Sequence, residues 1–266
     1  MAAQSETLVE RYRRDGFVCP IDALTADEAG SFRAALEASE AAAGGSLGRH
    51  THKPHLVDGW AQELVRHPAI LDVVEQIIGP DILVWESVLF IKEAGTDDFI
   101  SWHQDITYWG LEQEGDVVTA WVALSPSVAE SGCMSVVPGS HRRTVEAHRE
   151  TENADNMLSR GQELAVDISA ETTADLELMS GQMSLHHVKL FHGSQPNESA
   201  DRRIGCAIRF LPPHVRQETD TRDSATLVRG DDRFGNFELE PAPTTDLAPD
   251  AVALHKELGK RRAGDG

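Results

Sequence analysis

The sequence predicts a mostly β protein, a double-stranded β-helix (jelly roll, cupin-like) preceded by helices. Three observations predict it. Helical apolar spacing gives way near residue 80 to strand-like runs, about eight short runs follow as far as residue 213, and turn signals such as Glu130-Ser131-Gly132, Pro138-Gly139-Ser140 and Ser180-Gly181 divide them. No Pro/Gly/Ser-rich linker splits the chain, so one domain over 1–266 is the default: a helical layer over 1–80, a jelly-roll core over 81–213 and an extension over 214–266.

In chain order, Ser5 to Arg14 reads as a short helix stopped near Gly16, because Leu8 and Tyr12 share a face. Phe17 to Ile21 is a short strand. Thr25-x-x-Glu28 is a capping box opening a helix that ends at Gly44-Gly45. Ser46 to Asp58 is a loop carrying His50, His52, Lys53 and His55, read as pocket wall or surface rather than a metal site. Trp60 to Ile78 forms two helical pieces broken at Pro68 and closed by Gly79-Pro80. Strands are then expected at Ile82 to Ile91, Phe99 to Thr107, Val117 to Leu124, Cys133 to Val137, Leu164 to Ile168, Leu176 to Met179, Met183 to His192 and Ile204 to Leu211. The polar stretch Arg142 to Arg160 is too long for a hairpin and is expected to cross the barrel mouth. Thr226 to Val228 is a further strand, Arg229 to Phe237 an ordered loop and Asp250 to Arg261 a terminal helix.

Composition narrows the function classes. A formal net charge of -20 argues against nucleic acid as a partner, since phosphate tracking needs a Lys/Arg surface. No apolar run approaches a membrane span, and the N-terminus has no apolar signal core. Three cysteines without a C-x-x-C spacing read as reduced core residues, and the expectation is a cytoplasmic protein acting on a small molecule.

The chemistry-bearing stretch is Ser101 to Thr107. If it is extended, His103 and Asp105 face one way and Trp102, Gln104 and Ile106 the other. Two His and one carboxylate on one face can hold a ferrous ion with positions left open. His148-Arg149-Glu150 and His255-Lys256-Glu257 offer the same pair of groups, but in charged loop or helical sequence where i and i+2 do not face each other. Met183 to His192 is the other histidine-bearing stretch with strand character, and alternation puts Ser184, His186 and His192 on one face. His192, beside Gly193, sits where a ligand at a barrel mouth belongs; His186 and His187 read as packing or hydrogen-bonding residues. Arg203 shares a face with Gly205, Ala207 and Arg209, so a guanidinium lies beside small side chains that leave room for a carboxylate-bearing molecule.

Five ordered motifs, His103-Gln104-Asp105, Thr119 to Leu124, Ser131-Gly132-Cys133-Met134 running to Val137-Pro138-Gly139-Ser140-His141, His192-Gly193-Ser194 with Asn197, and Arg203, resemble the phytanoyl-CoA dioxygenase family of Fe(II)/2-oxoglutarate oxygenases. The resemblance covers roughly Trp85 to Pro213. It implies that His103, Asp105 and His192 bind iron and are the catalytic centre. It further implies that Arg203, assisted by Ser194, holds the distal carboxylate of 2-oxoglutarate, that Trp121 lines the cosubstrate site, and that Lys53 contacts the cosubstrate. His141 is taken as a structural turn residue.

The implied reaction is hydroxylation of an unactivated C–H with O2, releasing succinate and CO2. Asp105 stands where the related halogenases carry Gly or Ala, which favours hydroxylation over chlorination. Trp102, Tyr108 and Trp109 are candidates for a substrate pocket or for core packing. The scarcity of Lys favours a free small molecule over a CoA ester, and Arg209, if it faces the pocket, hints at an anionic group on it. Two rivals are a cupin-like isomerase or hydrolase using Zn or Mn as Lewis acid without 2-oxoglutarate, and a non-catalytic binding module on the same barrel.

Overall fold

The computed structural model describes residues 6–45, 50–112, 116–158, 161–218 and 222–264. Its elements are α1 (Leu8–Asp15), β1 (Phe17–Asp22), α2 (Ala26–Ala42), β2 (His50–His52), α3 (Gly59–Val65), α4 (Pro68–Ile78), β3 (Ile82–Lys92), β4 (Ile100–His103), β5 (Val118–Ala123), β6 (Met134–Val136), β7 (His148–Arg149), β8 (Glu163–Leu164), β9 (Ala174–Leu176), β10 (Gln182–His187), β11 (His192–Ser194), β12 (Arg203–Leu211), β13 (Ser224–Arg229), β14 (Glu238–Leu239) and α5 (Pro249–Gly264).

Local chemistry sets the helix ends. Thr7 and Thr25 each accept the backbone N–H of the Glu three residues on, while Glu10 and Glu28 accept from the threonine backbone. Gly16 closes α1 in the left-handed region at φ +84°, where a side chain would also strike His141.

Two sheets face each other as a jelly roll. The larger runs β1-β10-β5-β12-β3-β13-β14 with β2 also on β3, and the smaller runs β4-β11-β6-β9. Alternation divides β12. Ile204, Cys206, Ile208 and Phe210 point outward into a core shared with Leu36, Trp60, Leu64, Ile70 and Val74 of the helices. Arg203, Ala207 and Arg209 point inward, onto the space between the sheets. The helices therefore cover one face of the large sheet and leave the other for chemistry.

The structure departs from the sequence-based expectations in several places. β1 and β13 join the large sheet, beside β10 and β3, so the helical layer and the C-terminal extension each contribute a strand to it. The stretch 183–192 is two strands rather than one: the amide of Leu190 returns to the carbonyl of His187, and the chain crosses from the large sheet (β10) to the small one (β11) with no Gly or Pro to announce the turn. Of Leu164 to Ile168 only Leu164 is in a strand, and the strand expected at Leu176 to Met179 is Ala174–Leu176. The excursion after Arg142 carries β7, paired with β8, and Asn156 bridges to Phe99.

Candidate metal centre

β4 and β11 are antiparallel neighbours with His103 directly opposite His192, so the small sheet presents two imidazoles side by side, ring centroids 4.0 Å apart. The strand ends at His103, and Asp105 opens the 3-10 turn Asp105–Tyr108. Strand alternation is thus not what aligns His103 with Asp105. The turn does it, with the Ile106 amide tied to the Val188 carbonyl at 3.2 Å. Asp105 Oδ1 lies 3.5 Å from His103 Nε2 and 4.0 Å from His192 Nε2. The three ligand atoms all fall within 4.8 Å of one another, and this is the single such group among the described residues.

Gln104, between the two, is fully buried and used at both ends. Its amide nitrogen donates to the Lys189 carbonyl at 2.9 Å, its side-chain oxygen accepts from the Glu146 amide at 2.8 Å, and its backbone N–H donates to His148 Nε2 at 3.0 Å. It pins the turn that carries Asp105 to the segments on either side.

The protonation pattern suits a cation. His103 Nδ1 faces the Ser101 carbonyl and His192 Nδ1 the Leu190 carbonyl, each at 2.9 Å. Each Nδ1 therefore carries a proton, which leaves Nε2 as the ring nitrogen on the Asp105 side. Burial, with His103 nearby, drives His192 well below the usual histidine range, and burial pushes His186 down to about 4, so both are neutral at pH 7. For Asp105, burial works to raise the pKa, but Arg209 and the imidazoles outweigh it and keep the carboxylate ionised. Two imidazole nitrogens and one carboxylate oxygen are a donor set for a divalent transition ion.

The space beside this cluster is lined by Phe90, Ile100, Met134, Trp121, Ser194, Arg203, Thr119, His186 and Arg209. Arg203 is fixed from behind: its Nη1 donates to the Gly132 carbonyl at 2.6 Å and its guanidinium lies over Trp121, 5.3 Å from the centroid. The Ser131-Gly132 motif owes its form to this. Gly132 is left-handed at φ +67°, and a Cβ there would fall 2.1 Å from the Gln195 carbonyl oxygen. Ser194 Oγ accepts from Lys92 Nζ at 2.8 Å. Arg203 Nε and Nη2 are buried without partners, as are Thr119 Oγ1, Ser184 Oγ and His186 Nδ1. Buried donors left open on a cavity call for an anionic occupant.

His103, Asp105, His192, Arg203, Ser194 and Trp121 are thus brought together, and three expectations are corrected. Lys53 does not line this cavity: its Nζ contacts Glu240 and donates to the Ser224 carbonyl at 3.0 Å, on the far side of β3 from Arg203. The lysine near Arg203 is Lys92, its register partner, pushed down to about 6 by burial and by Arg203; its place two residues after the inward-facing Phe90 was the available signal. The space over Gly205 is not free, since a Cβ there would meet the Trp121 ring at 1.9 Å. Trp102 faces away, lining an outer groove with Arg149 and Glu163, while Trp109 packs against Trp85 and Arg209.

His141 is the turn residue expected, its Nε2 facing the Arg13 carbonyl at 3.2 Å, and Ser140 Oγ accepts from the Phe191 amide at 2.8 Å just before His192. His52 faces Glu86 and His55 faces Ser87 and Glu240, so these two do not converge on a common point. The side chains of His50 and Tyr108, and Arg160, lie outside the described residues.

Comparison with known proteins agrees with this geometry. The family model for phytanoyl-CoA dioxygenase (PhyH) matches residues 12–205. This chain belongs to the phytanoyl-CoA dioxygenase family. The match begins inside α1 and ends at the third residue of β12, so it takes in the whole metal cluster and Arg203. Among curated members, a probable alpha-ketoglutarate-dependent hypophosphite dioxygenase of Stutzerimonas stutzeri is 31% identical over 168 residues, 61% of this chain and 55% of the relative. An L-proline trans-4-hydroxylase of Streptomyces griseoviridis is 25% identical over 63% of this chain and 68% of its own length. The chain thus spans little more than half the length of the first of these. Among solved structures, the non-heme monooxygenase ThoJ in its apo form is 38% identical, with 97% of each chain covered and a TM-score of 0.85. The epimerase SnoN, at 21% identity and a TM-score of 0.68 over 90% of this chain and 95% of its own, shares the fold.

Proposed function

We propose that this chain is an Fe(II)- and 2-oxoglutarate-dependent dioxygenase that hydroxylates an unactivated C–H of a small molecule, with His103, Asp105 and His192 as the iron ligands. The observation that carries the reading is Arg203: a buried guanidinium with two unpartnered nitrogens, on the cavity that holds a two-histidine, one-carboxylate cluster. A Lewis-acid isomerase or hydrolase does not require such an anchor for a cosubstrate.

When bound, ferrous iron with 2-oxoglutarate and O2 supplies the oxidising power, and the cosubstrate leaves as succinate and CO2. The protein's part is placement. Arg203, held by the Gly132 carbonyl and by Trp121, pairs with the distal carboxylate through its free Nε and Nη2, with Ser194 beside it. Phe90, Ile100 and Met134 line the intervening wall with apolar surface that excludes water. The Nδ1 bonds of the two imidazoles fix their tautomer and leave Nε2 for the metal. Asp105 fills the carboxylate position, which supports hydroxylation over halogenation.

The test is anaerobic. Fe(II) and 2-oxoglutarate added to metal-free protein are expected to give a visible metal-to-ligand charge-transfer band, lost in His103→Ala and weakened in Arg203→Ala. A folded wild type that shows no band yet binds Zn or Mn would sink the oxygenase reading and favour the Lewis-acid one.

A further inference from the structure

At the other end of the same inward face of β12, six residues from Arg203 and about 20 Å along the strand at ~3.3 Å per residue, stands a second guanidinium. Among the described residues Arg209 makes no hydrogen bond. Its one ion pair, Nη2 to Asp105 Oδ1 at 3.8 Å, is too long to be a hydrogen bond, and its Nε is buried without a partner. The guanidinium carbon lies over the Trp109 ring, 4.4 Å from the centroid, a contact that holds the cation in place without satisfying its N–H groups. Trp109 is itself braced by Trp85, 5.1 Å away, whose indole N–H donates to Asp223 at 2.7 Å.

Register makes this a built site rather than one stray cation. Arg209 pairs with Thr119 and Thr119 with His186, so the three form one cross-strand row over β12, β5 and β10 on the cavity face. Thr119 Oγ1 and His186 Nδ1 are buried and partnerless too. On the other side of the row Glu86 pairs with Arg209 in register and faces His52 at 3.4 Å. Asp105 is the acid within ion-pair reach of Arg209 among the described residues, and a divalent ion at the cluster takes that carboxylate. Arg209 then remains a buried cation with no second acid within ion-pair reach among the described residues.

We propose that Arg209, with Thr119 and His186 in its row, is the receptor for an oxyanion group of the substrate, which is therefore a small molecule carrying a carboxylate, sulfonate or phosphonate. Arg203 and Arg209 divide the cavity between them, one for each acid. The inference rests on the oxygenase reading and deepens it by naming the substrate's chemical class.

The test uses the whole chain under anaerobic Fe(II) and 2-oxoglutarate, titrated with hexanoate, hexanesulfonate, hexylphosphonate and neutral hexanamide. Binding is followed by calorimetry and by the shift of the charge-transfer band. At least one oxyanion is expected to saturate and to bind at least ten-fold tighter than the amide, the best of the three telling which group is meant. Arg209→Gln is expected to abolish that preference while keeping the band, and Arg209→Lys to retain part of it. Equal or no binding of acid and amide by the wild type overturns the proposal, as does a preference that survives in Arg209→Gln. So does loss of the band in a folded Arg209→Gln protein, which would make Arg209 a residue that positions Asp105 or the cosubstrate. Absence of the band in the wild type sinks the oxygenase reading instead, and the calorimetric preference and its loss in Arg209→Gln still decide the role of Arg209.

Discussion

Lys53 adopts a left-handed backbone at φ 45° and sends its amine inward to Glu240, whose carboxylate also accepts from Ser224 Oγ at 2.6 Å and Thr226 Oγ1 at 2.7 Å. This buried pair ties the segment after β2 to β13 and the chain beyond β14. Replacing Lys53 with Met leaves Glu240 buried without its cation, and urea unfolding at pH 7 is expected to show a loss of about 3–5 kcal/mol. The pH dependence has a definite sign. Burial works to raise the Glu240 pKa, but Lys53 and His55 outweigh it and bring it from 4.5 down to about 2. The folded chain then binds fewer protons than the unfolded chain in that interval, so this stabilisation is complete above 4.5 and is lost as pH falls toward 2. The Lys53→Met protein is expected to show a flatter stability curve across that window. Sequence spacing cannot expose such a pair, because Lys53 and Glu240 are 187 residues apart. His103 and Asp105 were legible because they lie two residues apart in the chain, although a turn rather than the expected strand alternation brings them together.

β12 is the element on which the cavity is built, and its residue types follow its two faces. Ile204, Cys206, Ile208 and Phe210 join the helical layer, while Arg203, Gly205, Ala207 and Arg209 serve the cavity. Gly205 is required by its neighbour. Trp121 of the adjacent strand lies so close that the added methyl of Gly205→Ala would fall inside its ring. Overpacking of this kind costs typically about 1–3 kcal/mol, and here it also displaces the surface on which Arg203 rests. Gly205→Ala is therefore expected to weaken 2-oxoglutarate binding by ten-fold or more, read as the cosubstrate dependence of the charge-transfer band, alongside a lower melting temperature. The alternation that predicted β12 is reliable because one of its faces is apolar throughout. The same rule failed at 183–192, where the bend depends on hydrogen bonds from His187 to Gly16 and from Leu190 to His187.

At the scale of the molecule, the metal cluster joins two strands of the small sheet to a turn held against the excursion after Arg142 through Gln104. A ligand that binds only the folded chain stabilises it by mass action, by about 2.7 kcal/mol at a hundred-fold excess over Kd. Mn(II) or Ni(II), used in place of iron to avoid oxidation, is expected to raise the melting temperature of the wild type by several degrees. His192→Ala and Asp105→Ala are expected to lose that rise. An equal rise in all three proteins would place the binding elsewhere on this acidic chain.

The amino-acid sequence by itself determined the class of fold, the helix caps, the outward and inward faces of the long strands and the identity of the metal-binding candidates. These follow from short-range chemistry: capping pairs, period-two alternation and donor types on neighbouring residues. What only the tertiary structure decided is which distant groups meet. It brought His192 opposite His103, placed the Gly132 carbonyl behind Arg203, assigned Lys53 to Glu240 rather than to the cavity, and aligned Arg209, Thr119 and His186 in one row. Strand order and register create those meetings, and both are set by how whole faces pack together, which no local run of residues encodes.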